Sequence, residues 1–206
     1  MVAGPWTAAQ RHLRRRDGIL AALINRVGPC TLQPGGDPFA VLVRSVIAQL
    51  ISTAAARTIE KRLLALVASP GFSPASIIPL PDDRLRGVGL SAAKTSTIKE
   101  LAIRSLDGRL PLDALIQWDD HQIVSALTTI RGIGPWTTMM FLMFGLGRPD
   151  VLPVGDFGLR SGVRDLYRLD GLPTPAQLTT IAELWRPWRS IATWYIWRSR
   201  GPVPQS

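Results

Sequence analysis

Two segments of this 206-residue chain have patterns typical of a binding or reactive site: one has two closely spaced glycines and a proline, and the other leads to a carboxylate. The first is 127–138, Leu-Thr-Thr-Ile-Arg-Gly-Ile-Gly-Pro-Trp-Thr-Thr, in which Gly132 and Gly134 bracket a short turn between two amphipathic segments. Glycines let the backbone turn tightly and let another backbone approach closely. The N–H groups that begin the next helix attract anions, helped by the helix dipole. The segment therefore predicts a phosphate site without a charged side chain, with an ordinary helical hairpin as the alternative.

Asp156 is the second feature, and it follows a connection, 145–155, that is rich in glycine and proline. Aspartate is a favoured N-cap, so one interpretation of Asp156 is purely structural. The N–H groups at a helix start also keep a carboxylate ionised. A negative charge held in one place can stabilise positive charge that develops during a reaction. Asp156 can fill both roles at once.

The remaining composition narrows the chemistry. Cys30 is the single cysteine, and His12 and His121 lie far apart, so the sequence predicts no disulfide, zinc site or iron–sulfur cluster. The net charge is +9 and the pI about 11.1, which favours a polyanionic partner, nucleic acid before an anionic membrane. The arginines are dispersed, which counts against a membrane-surface protein. No signal peptide or membrane span is recognisable, so we expect an intracellular protein.

The elements that must position these residues are helical. Apolar residues recur at spacings of three and four, and no segment alternates strictly enough to demand a sheet, so the fold class is all-α. We find no linker and no internal repeat. We expect a loop with one short helix over 70–90 and a helix over 91–106. The other predicted boundaries are helix starts at Asp37–Pro38, Ser52, Gly134–Pro135, Asp156 and Thr174–Pro175, and helix ends at Arg131–Gly132 and near Gly201–Pro202; the helix after Gly134 has Met139, Leu142, Met143 and Leu146 as its buried stripe.

Four segments together resemble the helix-hairpin-helix (HhH-GPD) superfamily of DNA repair glycosylases. The turn in 127–138 is followed by a glycine- and proline-rich loop, 147–155, and then by Asp156-Phe-Gly-Leu159, in the order that this superfamily shows. Segments 39–52 and 89–94 resemble two further family segments. The tryptophan-rich end, 185–197, is similar to the DNA-3-methyladenine glycosylase II branch. Because few residues precede 37, the chain resembles a compact form without the N-terminal sheet domain of some members.

The resemblance implies an all-α fold of two helical lobes with a central cleft that holds Asp156. The chain would be a single domain, 1–206, with a helical-barrel lobe from roughly 38–150 and a second lobe from both terminal segments. It also implies that Asp156 stabilises the sugar cation formed when an N-glycosidic bond breaks, and orients the attacking water. Asp150 and Asp165, the nearest other carboxylates, do not match the family position.

The resemblance further implies water as the nucleophile. Bifunctional relatives carry a catalytic lysine just after the second hairpin glycine, where this chain has Trp136, and no lysine follows Lys99. We therefore predict a monofunctional glycosylase without lyase activity. Its expected substrate is double-stranded DNA with alkylated bases, such as 3-methyladenine and 7-methylguanine. The alternatives are a glycosylase for oxidised or deaminated bases and a damaged-DNA-binding protein without catalytic activity.

The resemblance assigns further residues to the site. Aromatic rings suit a flipped and cationic base, although core packing is the common role of tryptophan. Leu50 matches a wedge that fills the gap left by a flipped nucleotide, with a place in the core as the alternative. The predicted base pocket comprises Trp136, Met140, Phe157 and Trp197, and the predicted DNA contacts are Gln49, Leu50, Arg131, Gly132, Ile133, Gly134, Trp136 and Thr137.

No organic cofactor is expected. The family hairpin often binds Na⁺ or K⁺ through backbone carbonyls, which here correspond to Thr128, Ile130 and Ile133. We expect a cytoplasmic monomer that associates with the nucleoid when it is bound to DNA.

Overall fold

The computed structural model describes residues 5–67, 71–201 and 203, and these contain helices and turns but no β-strand. This confirms the all-α class. In chain order the described α-helices are α1 (Thr7–Arg16), α2 (Gly18–Val27), α3 (Pro38–Ala48), α4 (Thr53–Val67), α5 (Pro74–Ile77), α6 (Asp82–Gly87), α7 (Ala92–Leu106), α8 (Asp120–Thr128), α9 (Pro135–Met140), α10 (Phe157–Tyr167), α11 (Pro175–Ala182) and α12 (Arg189–Arg198).

The chain divides into two compact units. One unit is continuous and runs from Pro34 to Leu146, and the other combines the residues up to Gln33 with those from Gly147 onward. The sequence places a lobe at roughly 38–150, and the assignment of one domain to the whole chain stays a prediction. No helix among the described residues has the length and apolar character needed to cross a membrane.

Helix α3 is the centre of the continuous unit. Its N-cap Asp37 accepts the N–H of Ala40 at 2.8 Å, with Pro38 at the first helical position as predicted. Eight of its eleven residues are buried, and it packs against α4, α7 and α9. The predicted cap Ser52 also accepts an N–H group of the helix that follows it, and Ser91, which the sequence places at the start of a helix, caps α7 in the same way.

The structure corrects the helix prediction in two places of this unit. Segment 71–90 holds two short helices, α5 and α6, whereas one is predicted from the sequence; residue 70 lies outside the described residues. Helix α8 ends at Thr128 rather than at Arg131–Gly132. The N–H groups of Thr129 and Ile130 bond to carbonyls three residues earlier, so the last turn tightens before the glycine is reached.

The predicted buried stripe after Gly134 is also partly wrong. Helix α9 passes into a π-helical turn, Phe141–Gly145, in which the N–H of Leu146 bonds to the carbonyl of Phe141 at 3.1 Å. The additional residue in this turn rotates the buried face relative to a regular helix. Leu142 and Met143 are buried as expected, whereas Met139 and Leu146 are only half-buried. The other buried residues of this segment are Met140, Phe141 and Phe144.

The second unit joins the two ends of the chain through a buried carboxylate. Asp17 caps α2 by accepting the N–H groups of Ile19 and Leu20 at 2.9 and 3.1 Å. It also accepts the indole N–H of Trp185 at 3.0 Å and the hydroxyl of Tyr167. Four donors therefore bond to one buried carboxylate, and these bonds compensate for the cost of burying its charge. They attach the N-terminal helices, which are not among the helices predicted from the sequence, to the C-terminal segment.

Candidate active site

Asp156 is the N-cap of α10, and its carboxylate is held from two directions. Its Oδ1 accepts the N–H of Leu159 at 2.6 Å and the indole N–H of Trp197 at 2.9 Å. The first bond confirms the capping interpretation. The second comes from α12, so the carboxylate has a fixed direction as well as a fixed position. A carboxylate held in place by such donors can stabilise a developing positive charge without having to reorient during the reaction.

Two glycines on α10 allow Trp197 to reach this carboxylate. A Cβ on Gly162 would lie 2.5 Å from Cγ2 of Ile196 on α12, closer than real contacts allow. A Cβ on Gly158 would lie 3.2 Å from Oδ1 of Asp156 and 3.5 Å from the indole of Trp197. Glycines four residues apart lie on one helix face, and here they let α10 and α12 approach closely. Sequence reasoning missed this pair, although the Gly-x-x-x-Gly spacing is visible in the chain.

The loop that leads to Asp156 is tied to the start of α12. Asp150 forms ion pairs with Arg189 at 2.6 Å and with Arg186 at 3.0 Å. Buried Ser190 donates its hydroxyl to the Arg148 carbonyl at 2.7 Å and accepts the N–H of Val151 at 2.9 Å. Asp150 therefore anchors the loop. Helix α12 thus positions Asp156 twice, through this loop and through Trp197.

The hairpin between α8 and α9 contains two glycines with different surroundings. Gly132 has φ +90°, and a Cβ there would overlap the hydroxyl of Thr97, which donates to the Arg131 carbonyl at 2.9 Å. Gly134 has an extended backbone, with no atom within 4 Å of an added Cβ. The fold itself requires glycine at 132. At Gly134 the space is open, so the backbone of another molecule can approach the hairpin there.

The other predicted DNA contacts of the hairpin divide by exposure. Arg131 is exposed, whereas the side chains of Ile133 and Thr137 are only 3% and 2% exposed. A DNA contact of these two residues therefore has to use backbone atoms. The Gln49 amide donates to the Gly132 carbonyl at 2.9 Å and to the Thr137 hydroxyl at 2.7 Å, which ties residue 49 to the hairpin.

Leu50 follows with φ +56° and a fully exposed side chain. The alternative that Leu50 packs in the core is wrong. A bulky residue in the left-handed region is uncommon, and an exposed leucine in that state has no packing of its own to stabilise it.

The residues predicted for the base pocket are distributed over both units. In the unit that contains Asp156, Phe157 is 67% exposed and Trp197 is half-buried. In the continuous unit, Trp136 is half-buried near the start of α9, whereas Met140 is only 5% exposed. Their role as a base pocket stays a prediction.

The sequence model of one family, described as HhH-GPD superfamily base excision DNA repair protein, matches residues 43–187. The chain belongs to this superfamily. The matched HhH-GPD region includes the Gln49–Leu50 turn, the hairpin and Asp156, and it ends before Trp197.

Individual proteins are similar to this chain over nearly its whole length. DNA-3-methyladenine glycosylase 1 of Schizosaccharomyces pombe is 31% identical over 198 residues, which cover 94% of this chain and 87% of that protein. A solved structure of the 3-methyladenine DNA glycosylase of the same yeast, in complex with abasic DNA, has a TM-score of 0.88 at 30% identity, covering 96% of this chain and 98% of that one. A DNA-3-methyladenine glycosidase structure from Bacillus halodurans has a TM-score of 0.76 at 33% identity, covering 94% and 89%.

Proposed function

We propose that this protein is a monofunctional DNA glycosylase that hydrolyses the N-glycosidic bond of alkylated bases in double-stranded DNA, in base excision repair. The observation that carries the proposal is the Asp156 carboxylate, held by Leu159 and Trp197 at the head of α10. Membership of the superfamily and similarity to DNA-3-methyladenine glycosylases support it. The comparison with a DNA complex at a TM-score of 0.88 supports DNA as the partner.

The proposed chemistry needs little from the protein beyond a fixed anion. As the glycosidic bond breaks, positive charge develops on the deoxyribose, and the Asp156 carboxylate stabilises it. The same carboxylate orients the water that attacks the sugar. An alkylated purine such as 3-methyladenine is cationic and already a good leaving group, so no strong general acid is required. Aromatic rings favour such a base by cation–π attraction.

The hairpin is the proposed grip on the DNA backbone. Open space at Gly134 and the N–H groups at the start of α9 suit a phosphate. Phosphate contacts carry no sequence information, which fits an enzyme that must scan any sequence. The net charge of +9 supports the same partner.

The carbonyls of Thr128, Ile130 and Ile133 are the proposed ligands of a monovalent cation at the hairpin. The Ile130 carbonyl accepts the N–H of Ile133 at 3.0 Å, which orders the turn. Backbone carbonyls are a donor set that fits Na⁺ or K⁺. A cation there would add positive charge beside the bound phosphate. We further propose a monomer that acts in the cytoplasm on nucleoid DNA and needs no organic cofactor.

Two of the three lysines, Lys94 and Lys99, have contacts that support a water nucleophile. Lys94 donates to the carbonyls of Ile47 and Gln49, and Lys99 donates to the carbonyls of Ile78 and Leu80, so neither amine is poised for a sugar. We therefore expect borohydride, added during turnover, to trap no covalent protein–DNA adduct. Product strands should stay intact until alkali is added. A bifunctional glycosylase under the same conditions is the positive control, and a trapped adduct on any amine of this chain would contradict the monofunctional mechanism.

Trp197 offers a test of how Asp156 is held. Trp197→Phe keeps an aromatic ring but removes the indole N–H, so the carboxylate loses one charge-assisted hydrogen bond. We expect single-turnover excision to slow by roughly 10- to 100-fold, since such a bond contributes about 1.5–3 kcal/mol. DNA affinity should hold. Trp188→Phe, at the other end of the same helix, is the matched control. Equal losses in excision and DNA affinity would assign Trp197 a packing role.

The deciding experiment for the function is base release from methylated DNA, with the products identified. Release of 3-methyladenine and 7-methylguanine is the expected result. A panel of oxidised and deaminated duplexes tests the alternative specificity. Binding to damaged DNA without release of any base would indicate a damage-binding protein.

A further inference from the structure

The wedge turn, Gln49–Ile51, has an unusual conformation that something must maintain. Leu50 lies in the left-handed region with its side chain fully exposed. Non-glycine residues adopt this region at a cost, and an exposed side chain contributes no packing that would offset it. The conformation therefore has to be held through the backbone of its neighbours.

Lys94 supplies that hold. Its Nζ donates to the carbonyl of Ile47 and to the carbonyl of Gln49, both at 2.8 Å. The Gln49 carbonyl belongs to the peptide group that joins Gln49 to Leu50, and the orientation of this group sets the φ angle of Leu50. A cation beside the last carbonyls of α3 also complements the negative end of the helix dipole. The ammonium thus fixes the peptide plane from which Leu50 projects.

The presence of lysine rather than arginine at position 94 indicates the role of this side chain. The chain has 24 basic residues, of which three are lysines, Lys61, Lys94 and Lys99. Lys94 and Lys99 each place Nζ against two backbone carbonyls, a task for a compact ammonium with three donors that the planar guanidinium of arginine performs poorly. Partial burial lowers the pKa of Lys94, so its charge is kept in place at a desolvation cost.

Further hydrogen bonds join both α7 and the wedge turn to the hairpin. Thr97 lies one turn after Lys94 on α7 and donates to the Arg131 carbonyl at 2.9 Å. The Gln49 side chain donates to the Gly132 carbonyl at 2.9 Å. The start of α7 therefore contacts both the wedge turn and the hairpin turn, so that the two stand in a fixed relation within one unit.

We propose that Lys94 is a positioning residue that presets Leu50 for insertion into the DNA stack while the hairpin holds the backbone. The inference rests on the proposed function, because it assigns Leu50 the role of the wedge. Lys94 does not touch DNA bases or the sugar in this role. It acts through the Gln49–Leu50 peptide.

The test uses two duplexes, one undamaged and one with an abasic-site analogue opposite 2-aminopurine. A wedge fills the gap only in the second, so the ratio of the two affinities and the 2-aminopurine fluorescence both report insertion. We expect Lys94→Met to lower the affinity ratio by roughly 10- to 30-fold, which corresponds to the lower part of the range for one hydrogen bond from a charged donor. Lys99→Met is the matched control, because it removes an equivalent lysine from the same helix without touching the wedge turn.

A double-variant cycle separates positioning from general stability. If Lys94 acts through Leu50, Lys94→Met should have no further effect on the affinity ratio in a Leu50→Ala background. Full losses from both substitutions in the double variant, or an unchanged ratio and fluorescence in Lys94→Met alone, would overturn the inference. Should Lys94→Met not fold, Lys94→Gln, whose amide can reach one carbonyl, is judged by the same ratio. A wild-type protein that binds neither duplex would overturn the proposed function itself, and this inference with it.

Discussion

Asp156→Asn is expected to slow single-turnover base excision by about 100- to 1000-fold, the usual effect of removing one preorganised electrostatic group. Asparagine keeps the size of the side chain and an oxygen that can accept from Leu159 and Trp197, and it caps helices almost as well as aspartate. Thermal stability should therefore barely change. Ground-state DNA binding should hold or tighten, because the carboxylate no longer repels phosphates. The measurement is excision with saturating enzyme, beside thermal unfolding of the same variant.

Asp165→Asn is the matched control. Asp165 lies on the same helix, is exposed, and pairs with Arg164 at 2.7 Å and Arg200 at 2.5 Å, so the substitution removes an equal charge away from the proposed chemistry. Its excision rate should equal that of the wild type. A stable Asp156→Asn protein with near-normal excision would leave Asp156 as a helix cap and remove the core of the proposed mechanism.

Gly132→Ala is expected to destabilise the protein by about 2–4 kcal/mol, which lowers Tm by roughly 5–15 °C. Two effects add. The backbone at Gly132 has φ +90°, which alanine adopts only with strain, and the new Cβ would overlap the Thr97 hydroxyl. Thr97 cannot turn away freely, since that hydroxyl bonds to the Arg131 carbonyl. Thr97→Ala in the same chain should recover part of the loss, because it relieves the overlap but not the backbone strain.

Gly134→Val separates folding from binding at the same hairpin. No atom lies within 4 Å of an added Cβ at Gly134, and its φ is not positive, so the fold should tolerate the change. The valine fills the space that a phosphate backbone would approach. DNA affinity should fall by about 1–3 kcal/mol, the loss of charge-assisted hydrogen bonds. A folded Gly134→Val protein that binds abasic-analogue DNA as tightly as the wild type would show that the hairpin does not grip phosphate.

Short-range features of the fold could be predicted from the sequence. The starts of α3, α4 and α11 follow from Asp37–Pro38, Ser52 and Thr174–Pro175, whose caps bond to N–H groups three residues later. Such bonds depend on local residue types and little else. Asp156 belongs to this class, since its bond to Leu159 spans three residues. Helix ends were harder to predict, because the tightened last turn of α8 and the π-helical turn at Phe141 depend on packing as well as on local sequence.

The sequence by itself determined the all-α class, the glycine-bracketed hairpin, the carboxylate at a helix start and the absence of lysine after Lys99. Only the tertiary structure decided which partners these residues have. Trp197 reaches Asp156 across 41 residues, and Lys94 reaches Gln49 across 45. These contacts depend on how closely two helix faces pack, as the bare face of Gly158 and Gly162 allows for α10 and α12. The sequence pattern shows that one face of a helix carries small or apolar residues. Which other helix packs against that face depends on how all the helices of the unit bury their apolar side chains together.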